Sequence, residues 1–315
     1  MRGGTNKRSR KTSRPEEPES EEGKSAAAGS KPQGALAPGL YLTATPIGNL
    51  GDITLRALDV LRRADVIACE DTRVTRRLLD HYGIATPLLL HHEHNAARVR
   101  PQILARLAAG QAVALVSDAG TPLVSDPGFK LARAAIEAGL AVTALPGASA
   151  VLAALVVSGL PSDRFFFGGF LPPKSGSRRH ALAALTTVPG SLIFLESPRR
   201  LAAVLADLLA VLGPRPAAVA RELTKLYEEV RRGDLQTLAA HYAAIEPPKG
   251  EAVIVVGPGA PAATDTDAVD ASLRAALAEL PLKEAAAKVA AETGISRREA
   301  YARALVLRRA RETGP

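Results

Sequence analysis

Between residues 39 and 147, short apolar runs alternate with longer segments in which apolar side chains recur every third or fourth position. Residues 40–44, 66–69, 88–90, 113–116 and 142–144 are brief and rich in Val, Leu and Ile, which predicts strands. Residues 54–63, 98–109 and 127–138 keep helical spacing. Strand followed by helix requires crossover connections, and these predict a mostly parallel sheet covered by helices. An apolar helix at 149–158 leads into a second set, with strands at 164–168, 191–195, 217–221 and 252–256 and a helix at 199–212. The expected fold class is α/β, with one domain over 38–147 and another over 148–259.

The flanks read differently. Residues 1–37 hold Lys, Arg, Glu, Ser, Gly and Pro with almost no large apolar side chain, which predicts a disordered tail and offers no apolar stretch for a signal peptide. A Pro- and Ala-rich break at 258–264 precedes helical patterns at 273–280 and 283–310, giving a third, helical domain over 265–315. Its turn at Gly294 and Ile295 has helix-turn-helix spacing, and Ser296 with Glu299 forms a capping box at the second helix.

Composition narrows the setting. The 315 residues are 47% hydrophobic, enough to bury a sizeable core. No run approaches the roughly 18 apolar residues that span a bilayer, so no membrane partner is expected. Cys69 is the single cysteine, as a reducing compartment permits, and the expected location is cytoplasmic. A formal charge of +8 favours a polyanionic partner, while 3% aromatic content leaves few platforms for stacking bases.

Candidate chemistry gathers where strands end. The first ends in Thr45-Pro46-Ile47-Gly48-Asn49-Leu50-Gly51, which has neither the three-glycine dinucleotide fingerprint nor a phosphate-loop Lys. The fourth runs into Ser117-Asp118-Ala119-Gly120-Thr121-Pro122 and Ser125-Asp126-Pro127-Gly128. A loop this dense in Gly and Pro, at a strand's carboxyl end, is where open α/β sheets bind ligands. The fifth ends in Pro146-Gly147-Ala148-Ser149-Ala150, whose small residues admit a ligand close to the backbone. His91-His92-Glu93-His94 lacks metal-ligand spacing, so no metal is expected.

These residues resemble the tetrapyrrole methylase superfamily, in the branch that acts on ribosomal RNA. The resemblance rests on the motifs just quoted together with Glu70-Asp71-Thr72-Arg73 and Phe194-Leu195-Glu196-Ser197-Pro198, and it runs from about Gly39 to the C-terminus. It implies a two-domain homodimer that holds S-adenosylmethionine in a cleft between domains and methylates a cytidine 2′-oxygen in the decoding region of small-subunit rRNA. It also implies cofactor contacts at Pro46, Val116, Ser117, Asp118, Ala119, Thr121, Ser149 and Ala150. In the second domain the matching positions are Glu196, Leu223, Gly250, Glu251 and Ala252. Ring-modifying members usually carry Gly-Asp-Pro where this chain has Ser117-Asp118-Ala119.

A general base for the hydroxyl has five candidates near strand ends: Glu70, Asp71, His94, Glu196 and Glu222. Phosphate contacts are expected from Arg73, Arg76 and Arg77, from Lys174, Arg178 and Arg179, from Arg199, Arg200 and Lys225, and from Arg297, Arg298 and Arg303. Two other functions stay open on sequence alone: a porphyrinoid methyltransferase of the same fold, and a non-catalytic RNA-binding protein.

Overall fold

A computed structural model describes residue 34, residues 36–259 and residues 266–312. The expected tail therefore falls almost wholly outside the described residues, as does most of the break at 258–264.

Strands β1 (Gly39–Thr43), β2 (Val66–Cys69), β3 (Leu88–Leu90), β4 (Ala112–Val116) and β5 (Val142–Leu145) form one parallel sheet in the order β3-β2-β4-β1-β5. β2 and β4 are buried at every position, because helices cover both faces. On one face Ile67, Ala114 and Val116 meet Leu58 and Leu61 of α1 (Leu55–Arg63) and Leu79 of α2 (Thr72–His81). On the other, Ala68, Val113 and Leu115 meet Ile103 and Leu107 of α3 (Ala96–Ala108) and Leu131 and Ala135 of α4 (Phe129–Glu137). The alternation along each strand assigns its side chains to these two layers. Thr54 caps α1 by accepting from the Ala57 N–H at 3.1 Å, and Asp71 caps α2 from the Arg73 N–H at 2.8 Å.

Helix α5 (Ala150–Ser158) is apolar all round and lies against the second sheet. Its Val151, Ala154 and Leu155 pack with Ile47 and with Ile193, Ala220, Val253 and Val255. The second sheet contains β6 (Phe165–Phe170), β7 (Ser191–Glu196), β8 (Pro216–Arg221), β9 (Glu229–Asp234) and β10 (Ala252–Val256), ordered β6-β7-β10-β8-β9. Only β6 and β7 run parallel; β10 is antiparallel to β7 and β8, and β9 to β8. The outer face is covered by α6 (Ser175–Ala183), α7 (Leu201–Leu212) and α8 (Leu235–Ala244). Hydrophobic pattern alone predicts neither β9 nor α6, since both carry polar residues along exposed surface.

Helices α9 (Thr266–Glu279), α10 (Leu282–Thr293) and α11 (Arg297–Glu312) enclose their own core of Val269, Leu273, Val289, Ile295 and Ala304. Gly294 takes the left-handed φ of 77° that ends α10, and Ser296 Oγ accepts from the Glu299 N–H at 3.1 Å to start α11. Among the described residues no helix is long and apolar enough to cross a membrane.

Candidate functional site

Three loops at the carboxyl end of the first sheet are bound into one surface. Thr45 and Gly120 exchange both backbone hydrogen bonds, at 2.9 and 3.0 Å, which joins the loop after β1 to the loop after β4. Thr121 Oγ1 donates to the Ala148 carbonyl at 3.2 Å, adding the loop after β5, and Ser149 caps α5. Non-glycine residues Leu123 and Ser125 sit at φ 72° and 61°, a strained conformation for L residues that the surrounding bonds must hold. Gly128, at φ 126°, has Leu115 Cδ2 only 2.8 Å from where a β-carbon would stand.

The second sheet supplies the opposite wall from the ends of β7, β8 and β10. Glu222 adopts φ 50°; its Oε1 accepts from Lys225 Nζ at 2.8 Å and from the Glu251 N–H at 3.0 Å. Lys225 Nζ also reaches Glu251 Oε2 at 2.9 Å. The two walls touch here, since the Asn49 N–H donates to Thr224 Oγ1 at 3.2 Å. Between them lies a mostly apolar cavity of about 320 Å³.

Most residues predicted for the ligand come together in it. Ala119, Thr121, Ser149, Ala150, Glu196, Leu223, Gly250, Glu251 and Ala252 all line the cavity. Pro46, Val116, Ser117 and Asp118 are not among the lining residues. Val116 and Ser117 are buried beneath the loop, where Ser117 Oγ donates to the Gly120 carbonyl at 3.0 Å, and Asp118 Oδ1 turns aside to accept from the Asp71 N–H at 3.1 Å. The sequence reading missed Ile47, Val124 and Phe170 as lining residues; Ile47 adjoins the predicted Pro46, whereas Phe170 comes from a strand with no ligand signal.

The base candidates separate by environment. Asp71 lies in hydrogen bonds from Arg73, which draw its carboxyl down to about 2 and leave it a weak proton acceptor. Glu222 is lowered as well, first by Lys225. Burial raises Glu196, which is 3% exposed, and its Oε2 has no hydrogen-bond partner while Oε1 accepts from the Ser197 N–H at 2.8 Å. Burial also raises Glu70, with Asp118 adding repulsion. Asp126, absent from the sequence-based candidates, is pushed up to about 6 by burial and then by the charges of Glu70 and Asp118. His94 is exposed and lies beside His92, outside the cavity lining.

Several basic residues prove to be occupied within the fold. Arg178 is 4% exposed, with its guanidinium paired to Asp207 at 2.5 Å and donating to the Pro172 and Pro173 carbonyls. Arg200 is half-buried and holds the Leu171 and Pro172 carbonyls while standing 3.3 Å from Glu196. Lys225 is held by two carboxylates on the cavity wall. Arg303 ties α11 to α9 through Asp270 at 2.9 Å. These four, expected as phosphate contacts, are engaged by carboxylates or backbone carbonyls within the fold. Arg73, Arg76, Arg77, Lys174, Arg179, Arg199, Arg297 and Arg298 are exposed, although Arg73 is paired with Asp71 and Arg179 with Asp207.

Residues 39–239 match the family described as Tetrapyrrole (Corrin/Porphyrin) Methylases, and residues 262–308 match the RsmI C-terminal HTH domain. The chain is 54% identical over 278 residues, 88% of its length and 95% of the relative's, to Ribosomal RNA small subunit methyltransferase I of Mesorhizobium japonicum. It is also 54% identical to the protein of that name from Erythrobacter litoralis, covering 87% of this chain and 96% of the relative. A conserved hypothetical protein of Aeropyrum pernix K1 shares the fold, with a TM-score of 0.56 at 21% identity over 85% of this chain and 96% of that one. The chain belongs to the tetrapyrrole methylase family, in its ribosomal RNA small subunit methyltransferase I group.

Proposed function

We propose that this protein transfers the methyl group of S-adenosylmethionine to the 2′-hydroxyl of a cytidine ribose in the decoding region of small-subunit rRNA. The observation that carries the reading is the cavity itself: its size suits a small-molecule ligand, its walls are apolar, and its polar groups converge from both sheets. The buried, unpartnered Glu196 Oε2 is suited to a ligand that brings positive charge, as this cofactor does. Ala119, Thr121, Ser149 and Ala150 would hold the cofactor from one side, and Glu196, Leu223, Gly250 and Ala252 from the other.

When bound, the sulfonium provides a methyl group already activated for displacement. The protein's part is then mainly alignment, a positioning effect worth up to about 7–11 kcal/mol. Glu70 is the proposed proton acceptor, because burial raises its basicity while Asp71 and Glu222 are committed to cationic partners. Arg73, Arg76 and Arg77 on α2, Lys174, Arg179 and Arg199 beside the second sheet, and Arg297 and Arg298 on α11 supply phosphate contacts. With few aromatic residues, recognition rests on RNA shape within an assembled or nearly assembled subunit.

The working form is a cytoplasmic homodimer. Leu152 and Val156, one turn apart on α5, are 50% and 71% exposed, and Phe165 and Phe166 of β6 are 44% and 41% exposed, apolar surface that a second copy of the chain would cover. The test is transfer of labelled methyl from S-adenosylmethionine to purified small subunits, free rRNA and porphyrinoids. Labelling of the subunits supports the reading; labelling of the porphyrinoid alone refutes it.

A further inference from the structure

The charged groups on the cavity wall do not balance. Glu196, Glu222, Glu251 and Lys225 line it, and all four stand at one end of the second sheet, where Glu196 of β7 and Arg221 of β8 flank the same residue of β10, Ala252. Lys225 spends its single positive charge between Glu222 and Glu251. Arg200 stands behind Glu196 at 3.3 Å from Oε1, outside the lining, and its outer nitrogen holds two loop carbonyls. Arg221 is paired with Glu229 at 3.2 Å, so the wall stays net negative whether or not Arg200 is included. Among the described residues, Glu196 Oε2 is the wall's one buried side-chain acceptor with no partner.

We infer that this wall makes the cavity discriminate by charge, holding the positively charged methyl donor more tightly than the demethylated product. The inference rests on the cofactor reading proposed above. The C–S bonding pair stays on sulfur when the methyl passes to the acceptor oxygen, and that oxygen's proton passes to a base or to water. The sulfur therefore changes from a cation to a neutral thioether. Donor and product both keep the ammonium, the carboxylate and the ribose hydroxyls, so they differ by that one positive charge, and a net negative wall at low dielectric favours the donor by its attraction to it. Glu196 acts here as a specificity-determining residue that distinguishes donor from product.

The test is calorimetric titration of the full chain with S-adenosylmethionine, S-adenosylhomocysteine and sinefungin, whose ammonium stands where the sulfonium does. The wild type should bind the two cations more tightly than the neutral product. Glu196→Gln should weaken both cations about tenfold and the product less than threefold. Glu251→Gln, at a side chain 75% exposed and so safe for folding, should shift the ratio the same way by a smaller factor. Equal losses for all three ligands, or a wild type that prefers the product, overturn the inference while leaving the cofactor reading intact. A folded wild type that binds none of the three overturns the cofactor reading itself.

Discussion

A β-carbon placed on Gly48 would stand 2.4 Å from Cγ of Lys225, so the loop after β1 and the corner after β8 meet with no room for a side chain between them. The contact joins the two walls of the cavity, and the Asn49 to Thr224 hydrogen bond lies beside it. Gly48→Ala should displace the Lys225 stem, loosen its grip on Glu222 and Glu251, and lower S-adenosylmethionine affinity about tenfold in calorimetry. Unchanged affinity would show that the walls hold their spacing without this contact.

Arg178 and Arg179 are neighbours on α6 with opposite roles. Arg178→Ala removes the buried partner of Asp207, leaving it Arg179 and Ser175, and should cost about 3 kcal/mol in urea unfolding. Arg179→Ala, at a side chain 54% exposed that also pairs with Asp207, should cost less stability than Arg178→Ala and weaken RNA binding. Burial opposes the Asp207 charge, but Arg179, Ser175 and Arg178 outweigh it and hold the carboxyl below its usual range. That stabilisation is present above the ordinary carboxylate pKa and is lost as pH falls through the lowered one. Comparable stability losses for both arginine variants would contradict the division.

Asp126 carries the opposite sign. Its carboxyl is raised to about 6 in the folded protein, so the native state holds more protons than the unfolded chain between about pH 4 and 6. This group's contribution therefore becomes more unfavourable as pH rises through that window. Asp126→Asn should raise stability at pH 7.5 by about 1–3 kcal/mol and leave it nearly unchanged near pH 4, as chemical denaturation at the two pH values would register. A variant less stable than wild type at pH 7.5 would show that the carboxylate makes a needed contact.

The first sheet was legible because parallel strands buried on both faces are short continuous apolar runs, as β2 and β4 are. The near wall of the cavity was legible because loops that admit a ligand need Gly, Pro and small residues, as at Ala119 and Ser149. Strand β9 was not, since an edge strand reading Glu229–Asp234 carries its polar residues into solvent and leaves no alternation to detect. The fate of Arg178, Arg200 and Arg303 was also hidden. Sequence displays a guanidinium but not its carboxylate, and Asp207 lies 29 residues from Arg178 while Asp270 lies 33 from Arg303.

In the C-terminal helices, Arg297 and Arg298 occupy the first turn of α11, where cations oppose the helix dipole and a phosphate would relieve the cost. Replacing both with Ala should weaken binding to small subunits, reduce the salt slope by about two, and leave S-adenosylmethionine affinity unchanged. Arg303→Ala should instead lower the melting temperature by freeing Asp270. If the double variant binds subunits normally across a salt series, the RNA grip lies beside the cavity alone.

The most direct test is mass-spectrometric mapping of small-subunit rRNA from cells that lack this protein, before and after treatment of the purified subunits with enzyme and S-adenosylmethionine. Treatment should add one methyl group, on the 2′-oxygen of a single cytidine in the decoding region, and Glu196→Gln should reduce the yield at limiting cofactor. Methylation of a base, or no gain of mass in the RNA with a folded, cofactor-bound enzyme, would contradict the proposed function.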